Sequence, residues 1–383
     1  MPRINLAKLL SVLLFTLGAS GLSTATVTYV VGNCKPGLPS FATISAALAA
    51  TPPPNVVFVC PGTYHEQVQI TQPVNLQGVA TGDSAEVIIA PPPNGLVVNA
   101  TDDLGDPIAA QVYLWIDPTA VESQIQNIVI DGAGNGITAF PPYVVGIFVQ
   151  NTPATINHVT TRNQTGNGSG VGIWLEGGLL LPAIKVENSS IHGFDLYGVW
   201  TQTNAAASQL TATISGNDVN GSFSSVNPGP VGMLINSGTT NTISGNVVAG
   251  LATGIWTEGS ATGTISGNTL LDDSIGILLD ADGVSATSNK IYATCPGGAA
   301  TGSCQGIQIN SAVPAVQKNT ITNSTFGIEF NCVANPNVNS NTITDATVGL
   351  DHVPAGTTSD NSFFDVFTRL TRKAGCAAGA ARK

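Results

Sequence analysis

A single glycine recurs along more than half of this chain. The segments VGIFVQN, VGIWLEG, YGVWTQT, VGMLINS, TGIWTEG, IGILLDA, QGIQINS, FGIEFNC and VGLDHVP share it at positions 146, 172, 198, 232, 254, 276, 306, 327 and 349. The steps are 26, 26, 34, 22, 22, 30, 21 and 22 residues. Units this short cannot bury a core alone and must stack on their neighbours, which is the definition of a solenoid. Helical repeats are excluded, because the units are rich in Gly, Thr, Asn and β-branched residues and alternate with period two. The body is expected to be a parallel β-solenoid.

A second motif runs between the first: ISGNDV, ISGNVV, ISGNTL, ATSNKI, VQKNTI and VNSNTI, with its Asn at 217, 246, 268, 289, 319 and 341. Gly and Asn at fixed points of each turn suit tight bends with positive φ. Stacked copies would also let the Asn side chains hydrogen-bond from coil to coil.

Strand alternation assigns faces. Positions one and three after each glycine are mostly apolar (Ile147 and Val149, Ile173 and Leu175, Ile255 and Thr257) and are expected to point inward, with His352 on the inward column of the last repeat. Positions two and four after then point outward. The first outward column carries Phe148, Trp174, Trp200 and Trp256; the second carries Gln150, Glu176, Gln202, Asn236, Glu258 and Asp280. Stacked about 4.8 Å apart, they would form an aromatic stripe edged by amides and carboxylates. Flat apolar platforms beside hydrogen-bonding groups match the ring faces and hydroxyls of a sugar chain. The alternative is that residues 100–124, which interrupt the pattern, or the basic tail fold over this face.

Charge narrows the ligand. Only 9% of residues are charged, and positions 26–368 hold five basic residues against all 23 acidic ones, a net of −18. Such a surface repels nucleic acid and disfavours acidic polysaccharides and anionic lipids unless a cation bridges the charges. The remaining basic residues sit in the two termini. Arg3 and Lys8 flank the apolar run Leu9 to Leu17, with Ser23-Thr24-Ala25 as a small-residue cleavage site, so 1–25 reads as a secretory signal peptide. Six cysteines, an even number without C-x-x-C spacing, agree with a secreted or periplasmic protein. Several connectivities are open; the pairing expected is Cys34–Cys60, Cys295–Cys304 and Cys332–Cys376.

The Gly-Ile and Ser-Gly-Asn pattern over 145–355 resembles the right-handed parallel β-helix repeats of the pectin-lyase-like superfamily, NosD-like proteins included. FATISAALAA followed by VVFVCPGTYHEQVQITQPVNLQG resembles the cap helix and first coils of such proteins, pectin methylesterases among them, with a similar G-x-Y-x-E at Gly62, Tyr64 and Glu66. The resemblance implies an all-β, right-handed parallel β-helix with a short N-terminal capping helix near 43–50. One domain would span 26–365, with cap and first coils at 26–90, an insertion at 100–124 and regular coils at 145–355, followed by a basic C-terminal tail at 366–383. The methylesterase catalytic motifs are missing, and no Arg lies between Arg162 and Arg369. This argues against both pectinesterase and the Arg- or Lys-dependent lyase chemistry that the superfamily implies.

Glu258 and Asp280 occupy equivalent positions on neighbouring coils, hence about 5 Å apart by strand spacing. Retaining glycosidases separate their carboxylates similarly. The pair could act as acid and base, share a Ca²⁺ ion with help from Asp272, Asp273 and Asp282, or simply face solvent. No other cofactor and no His- or Cys-based metal site is expected. The function expected is that of a secreted monomer that binds, and could process, a neutral or weakly acidic polysaccharide or cell-surface glycan; if an enzyme, a hydrolase. Neither nucleic acid nor, once the leader is removed, membrane is an expected partner. A non-catalytic structural or surface-interaction scaffold is the competing reading.

Overall fold

Three short strands per turn, some alternating in burial as Leu210–Ser215 does, build a three-sided coil. The computed structural model describes residues 26–80, 86–116, 121–203, 209–221, 229–293, 304–311, 315–331, 337–354 and 360–372. The leader expected at 1–25, together with Cys295, Cys332 and Cys376, lies outside the described residues. A representative coil contains strands Ala183–Glu187, Ser190–His192 and Tyr197–Gln202. The first of the three joins a 13-stranded parallel sheet along one side of the solenoid. The other two belong to a 23-stranded sheet that wraps the remaining sides. The fold is all-β, a right-handed parallel β-helix.

The inward columns fall where alternation puts them. Ile147, Ile173, Val199, Met233, Ile255, Ile277, Ile307, Ile328 and Leu350 pair in register from coil to coil, all fully buried in one continuous core.

The two repeated motifs have separate physical causes. A Cβ on Gly232 would lie 2.5 Å from the carbonyl oxygen of Gly254, and one on Gly254 would lie 2.7 Å from that of Gly276. The repeat glycine is thus required by close backbone approach between coils and not by a positive φ. Positive φ belongs instead to the residue before the ladder Asn: Gly216, Gly245 and Gly267 have φ near 65°, and Ser288, Lys318 and Ser340 take the same conformation in later coils.

The asparagines form the expected ladder. Asn217, Asn246, Asn268, Asn289 and Asn319 each donate a side-chain N–H to the Oδ1 of the next Asn at 2.9–3.0 Å, and that oxygen also accepts the preceding Asn's backbone N–H. All are buried, so each amide replaces water for its neighbour.

A short helix, Ile44–Leu48, closes the N-terminal end, capped by Thr43, whose Oγ1 accepts from the Ala46 N–H. Glu66 completes the cap. Its carboxylate accepts the N–H groups of Ile44 and Ser45 at 2.8 and 3.0 Å and the Ser45 hydroxyl. The Tyr64 hydroxyl donates to the Cys60 carbonyl, and Cys60 is bonded to Cys34. The G-x-Y-x-E motif therefore holds the cap together. Cys304 is also disulfide-bonded.

Two boundaries differ from expectation. Residues 107–115 are a coil strand rather than part of an insertion: Val112, Tyr113, Leu114 and Trp115 pair with Ile147, Phe148, Val149 and Gln150. Gln111 stands at the repeat-glycine position, and its amide donates to the carbonyls of Ile89 and Asp131, which disguises the repeat. At the other end, pairing continues to Leu370 through strand Thr368–Leu370. Among the described residues, no helix is long and apolar enough to cross a membrane.

Candidate functional site

The outward face of the glycine-bearing strands carries the aromatic column, and its rings touch in series. Tyr113 stacks on Phe148 at 5.5 Å, Phe148 meets Trp174 edge-on at 5.3 Å, and Trp174 stacks on Trp200 at 4.0 Å between centroids. Tyr143 packs edge-on against both indoles, and Tyr197 leans on Trp200. The column forms a hydrophobic cluster outside the solenoid core, as alternation requires.

The expected exposure does not hold for most of it. Phe148 and Trp174 are completely buried and Trp200 nearly so, as are Gln150, Glu176 and Gln202 of the polar column. The cover is a hairpin in which Ala100–Thr101 pairs antiparallel with Pro107 and Ile108; Ala100 and Ile108 pack into the aromatic cluster. The hairpin is tied down by the polar column. Gln150 accepts from the Tyr113 hydroxyl at 2.6 Å and donates to the Thr101 carbonyl and to Glu176 Oε2. Glu176 Oε1 accepts the Asp103 N–H at 3.0 Å. Asp102 shapes the tip by accepting the N–H groups of Leu104 and Asp106, and Gln202 reaches its other oxygen at 3.4 Å. These side chains form a buried structural network.

Burial, with Asp103 and Asp102 close by, pushes the Glu176 carboxyl up to about 7 even though the Asp103 N–H and Gln150 donate to it. The same desolvation, with Glu176 and Asp103 near, raises the Tyr113 phenol to about 12.

Beyond the hairpin the face opens. Trp256, Asn236, Glu258 and Asp280 are all partly exposed. Trp256 follows Leu234 and precedes Leu278 in register, and its indole N–H donates to Asp280 Oδ2 at 2.8 Å. Asp280 donates its backbone N–H to the Thr257 carbonyl, which sets it on the coil next to Glu258. Partial burial first, then the neighbouring Asp280, raises the Glu258 carboxyl above the usual range. Tyr197, pushed to about 12 by burial with Glu258 and Tyr143 nearby, borders the same patch. The structure therefore brings together Trp256, Glu258 and Asp280, with Tyr197 as a neighbour that alternation alone did not single out.

Of the aspartates considered as additional calcium ligands, Asp273 is buried and accepts the Leu251 N–H at 2.9 Å, while Asp272 and Asp282 are exposed. His352 departs from the inward column. With φ at 56° its side chain turns out beside Asp351 and Glu329. Trp115, 54% exposed, heads the polar column in register with Gln150. Accepting Gln111 at the glycine position would have revealed it in the sequence.

The profile of the right-handed β-helix region matches residues 119–291 and 202–364. The chain belongs to this right-handed β-helix family. The fold also agrees with the pectin-lyase-like resemblance of the repeats. A search among curated proteins gives no match. Among solved structures, the β-helix is similar to variants of the catalytic domain of GH87 alpha-1,3-glucanase in complex with nigerose or with tetrasaccharides. Each shows 12% identity and a TM-score of 0.58, covering 91% of this chain and 68% of that one. It is similar as well to the pre-mature bacteriophage phi29 gene product 12, at 14% identity and a TM-score of 0.52, covering 82% of this chain and 53% of that one. At such identities the likeness is one of fold.

Proposed function

We propose that this β-helix is an extracellular glycan-binding protein that holds a neutral or weakly acidic polysaccharide on the open part of its outward face, with Trp256 as the stacking platform. The observation that carries this reading is the Trp256–Asp280 hydrogen bond beside Glu258: it fixes an indole and a carboxylate side by side where solvent reaches both. An indole face stacks on apolar sugar faces, and carboxylates accept from hydroxyls. The outward columns carry no Lys or Arg, so a polyanion has no partner there. The Cys34–Cys60 bond supports an oxidising compartment, and the glucanase domains of the same fold act on a neutral glucan.

One observation favours hydrolysis as an added activity. A carboxyl raised by burial beside a second carboxylate is the arrangement that separates acid and base roles. A panel of neutral and acidic polysaccharides, read by affinity electrophoresis and followed by a reducing-sugar assay, tests both readings. The expected result is retention on a neutral glycan, weakened about tenfold or more by Trp256→Ala. Sugar release abolished by Glu258→Gln would make the protein a hydrolase. Retention on no glycan, or retention indifferent to Trp256→Ala, would leave the rigid scaffold.

A further inference from the structure

On the same outward face, toward its C-terminal end, three potential metal ligands converge: Glu329, Asp351 and His352 place one ligand atom each within 4.8 Å of one another. Glu329 and Asp351 pair in register on adjacent coils. His352 joins them because its backbone is left-handed at φ 56°, which turns the imidazole out of the core column.

The donor set is held from behind. Asp351 Oδ1 accepts the Thr371 hydroxyl, and Thr371 Oγ1 accepts the His352 N–H at 2.9 Å. Glu329 Oε2 accepts the Gln305 amide. In each carboxylate one oxygen is therefore fixed by a neighbouring side chain, while the other faces the imidazole: Asp351 Oδ2 lies 3.2 Å and Glu329 Oε1 3.9 Å from His352 Nδ1. Supporting partners of this kind orient ligands in metal sites. Asp351 is buried, with 7% of its side chain exposed. Nδ1 is shielded from solvent and makes no hydrogen bond, although two carboxylates lie close to it. Two donors bound to one zinc ion at about 2.0–2.2 Å sit roughly 3.3 Å apart at the tetrahedral angle and about 4.2 Å apart when opposed. Both imidazole–carboxylate separations fall near that range.

We infer that Glu329, Asp351 and His352 form a binding site for one divalent transition-metal ion. An imidazole beside two carboxylates suits Zn²⁺ or Mn²⁺ better than Ca²⁺, which prefers a larger set of oxygens. Three protein ligands would leave at least one coordination position for water or another ligand. The site stands independently of the glycan reading.

Calorimetric titration of the untagged full chain with Zn²⁺, with Mn²⁺ and Ca²⁺ for comparison, tests the inference. Saturable binding of one Zn²⁺ per chain is expected, weakened about 100-fold or more in His352→Gln and Glu329→Gln and roughly tenfold in Thr371→Val, which removes only the supporting hydroxyl. Zn²⁺ should raise the melting temperature of the parent chain and leave that of His352→Gln unchanged, which also shows that the variant is folded. Absence of one-to-one binding in the parent chain would reduce the cluster to an ion pair between His352 and its carboxylates. Undiminished affinity in His352→Gln, or Ca²⁺ bound as tightly as Zn²⁺, would equally overturn the assignment.

Discussion

The backbone N–H of Asp103 donates to Glu176 Oε1 at 3.0 Å, joining residues 73 apart in sequence and fastening the hairpin over the aromatic stack. The hairpin it fastens buries a carboxyl whose ordinary value is 4.5, and that desolvation raises it to about 7 although the Asp103 bond itself favours the ionised form. Between those values the unfolded chain releases the proton while the folded chain keeps it. Stability should fall as pH rises through this window, by up to about 1.4 kcal/mol per pH unit, and then level off. Thermal melts from pH 4 to 8 should show this slope in the parent chain and a flatter profile in Glu176→Gln. Parallel profiles for the two proteins would refute the assignment.

Trp200 is a packing residue, stacked on Trp174 under Tyr143. Trp200→Ala should cost about 3–5 kcal/mol, the usual penalty for deleting a buried large aromatic. Trp256→Ala, at a partly exposed site, should cost much less. Chemical denaturation of the two variants checks the order, and equal losses would contradict the covered stack.

The asparagine ladder and the glycine column should fail in different ways. Asn268→Ala removes the acceptor used by both N–H groups of Asn246 and should cost about 1–3 kcal/mol for each buried donor left unpaired. Gly232→Ala meets the Gly254 carbonyl at 2.5 Å and should destabilise by about 1–3 kcal/mol through overpacking, or more if the coils cannot separate. Gly267→Ala meets nothing within 4 Å and should cost only the strain of its positive φ, about 1–2 kcal/mol. A denaturation series in which Gly232→Ala proves the mildest of the three would disprove this account.

Asp273 is buried with its carboxyl raised well above the usual range, chiefly by desolvation, even though the Leu251 N–H donates to it. A raised acid contributes its full share of stability only below its ordinary value near 3.8, so at neutral pH it is a liability. Asp273→Asn, which keeps the acceptor for Leu251, should be more stable than the parent at pH 7, with the difference shrinking toward pH 3. Equal stability of the two proteins at pH 7 would show that the carboxyl is better solvated than this environment allows.

Much of the solenoid is legible because its period is local. Glycine spacing, inward Ile columns and the Asn ladder are each set by contacts between units about 22 residues apart, and every coil repeats the same constraint. Alternation also placed Trp174, Trp200 and Trp256 correctly outside the core. It could not show which of them water reaches. That depends on residues 99–108, a hairpin with its own pairing that packs on coils well downstream, and on Gln111, which hides one coil by replacing the repeat glycine. His352 escaped for a related reason: one left-handed backbone angle overrides the two-residue alternation.

The low charge of the chain follows from the repeat itself, since coils built on Gly, Thr, Ser and Asn turns and apolar strands leave few positions for ionic side chains. Sequence thus determined the solenoid, its columns and the acidic character of its surface. Tertiary structure decided where that surface is open, that Asp280 holds the Trp256 indole, and that His352 turns out beside Glu329 and Asp351. Column membership depends on neighbours along the strand, whereas exposure depends on whatever else in the chain comes to lie above it.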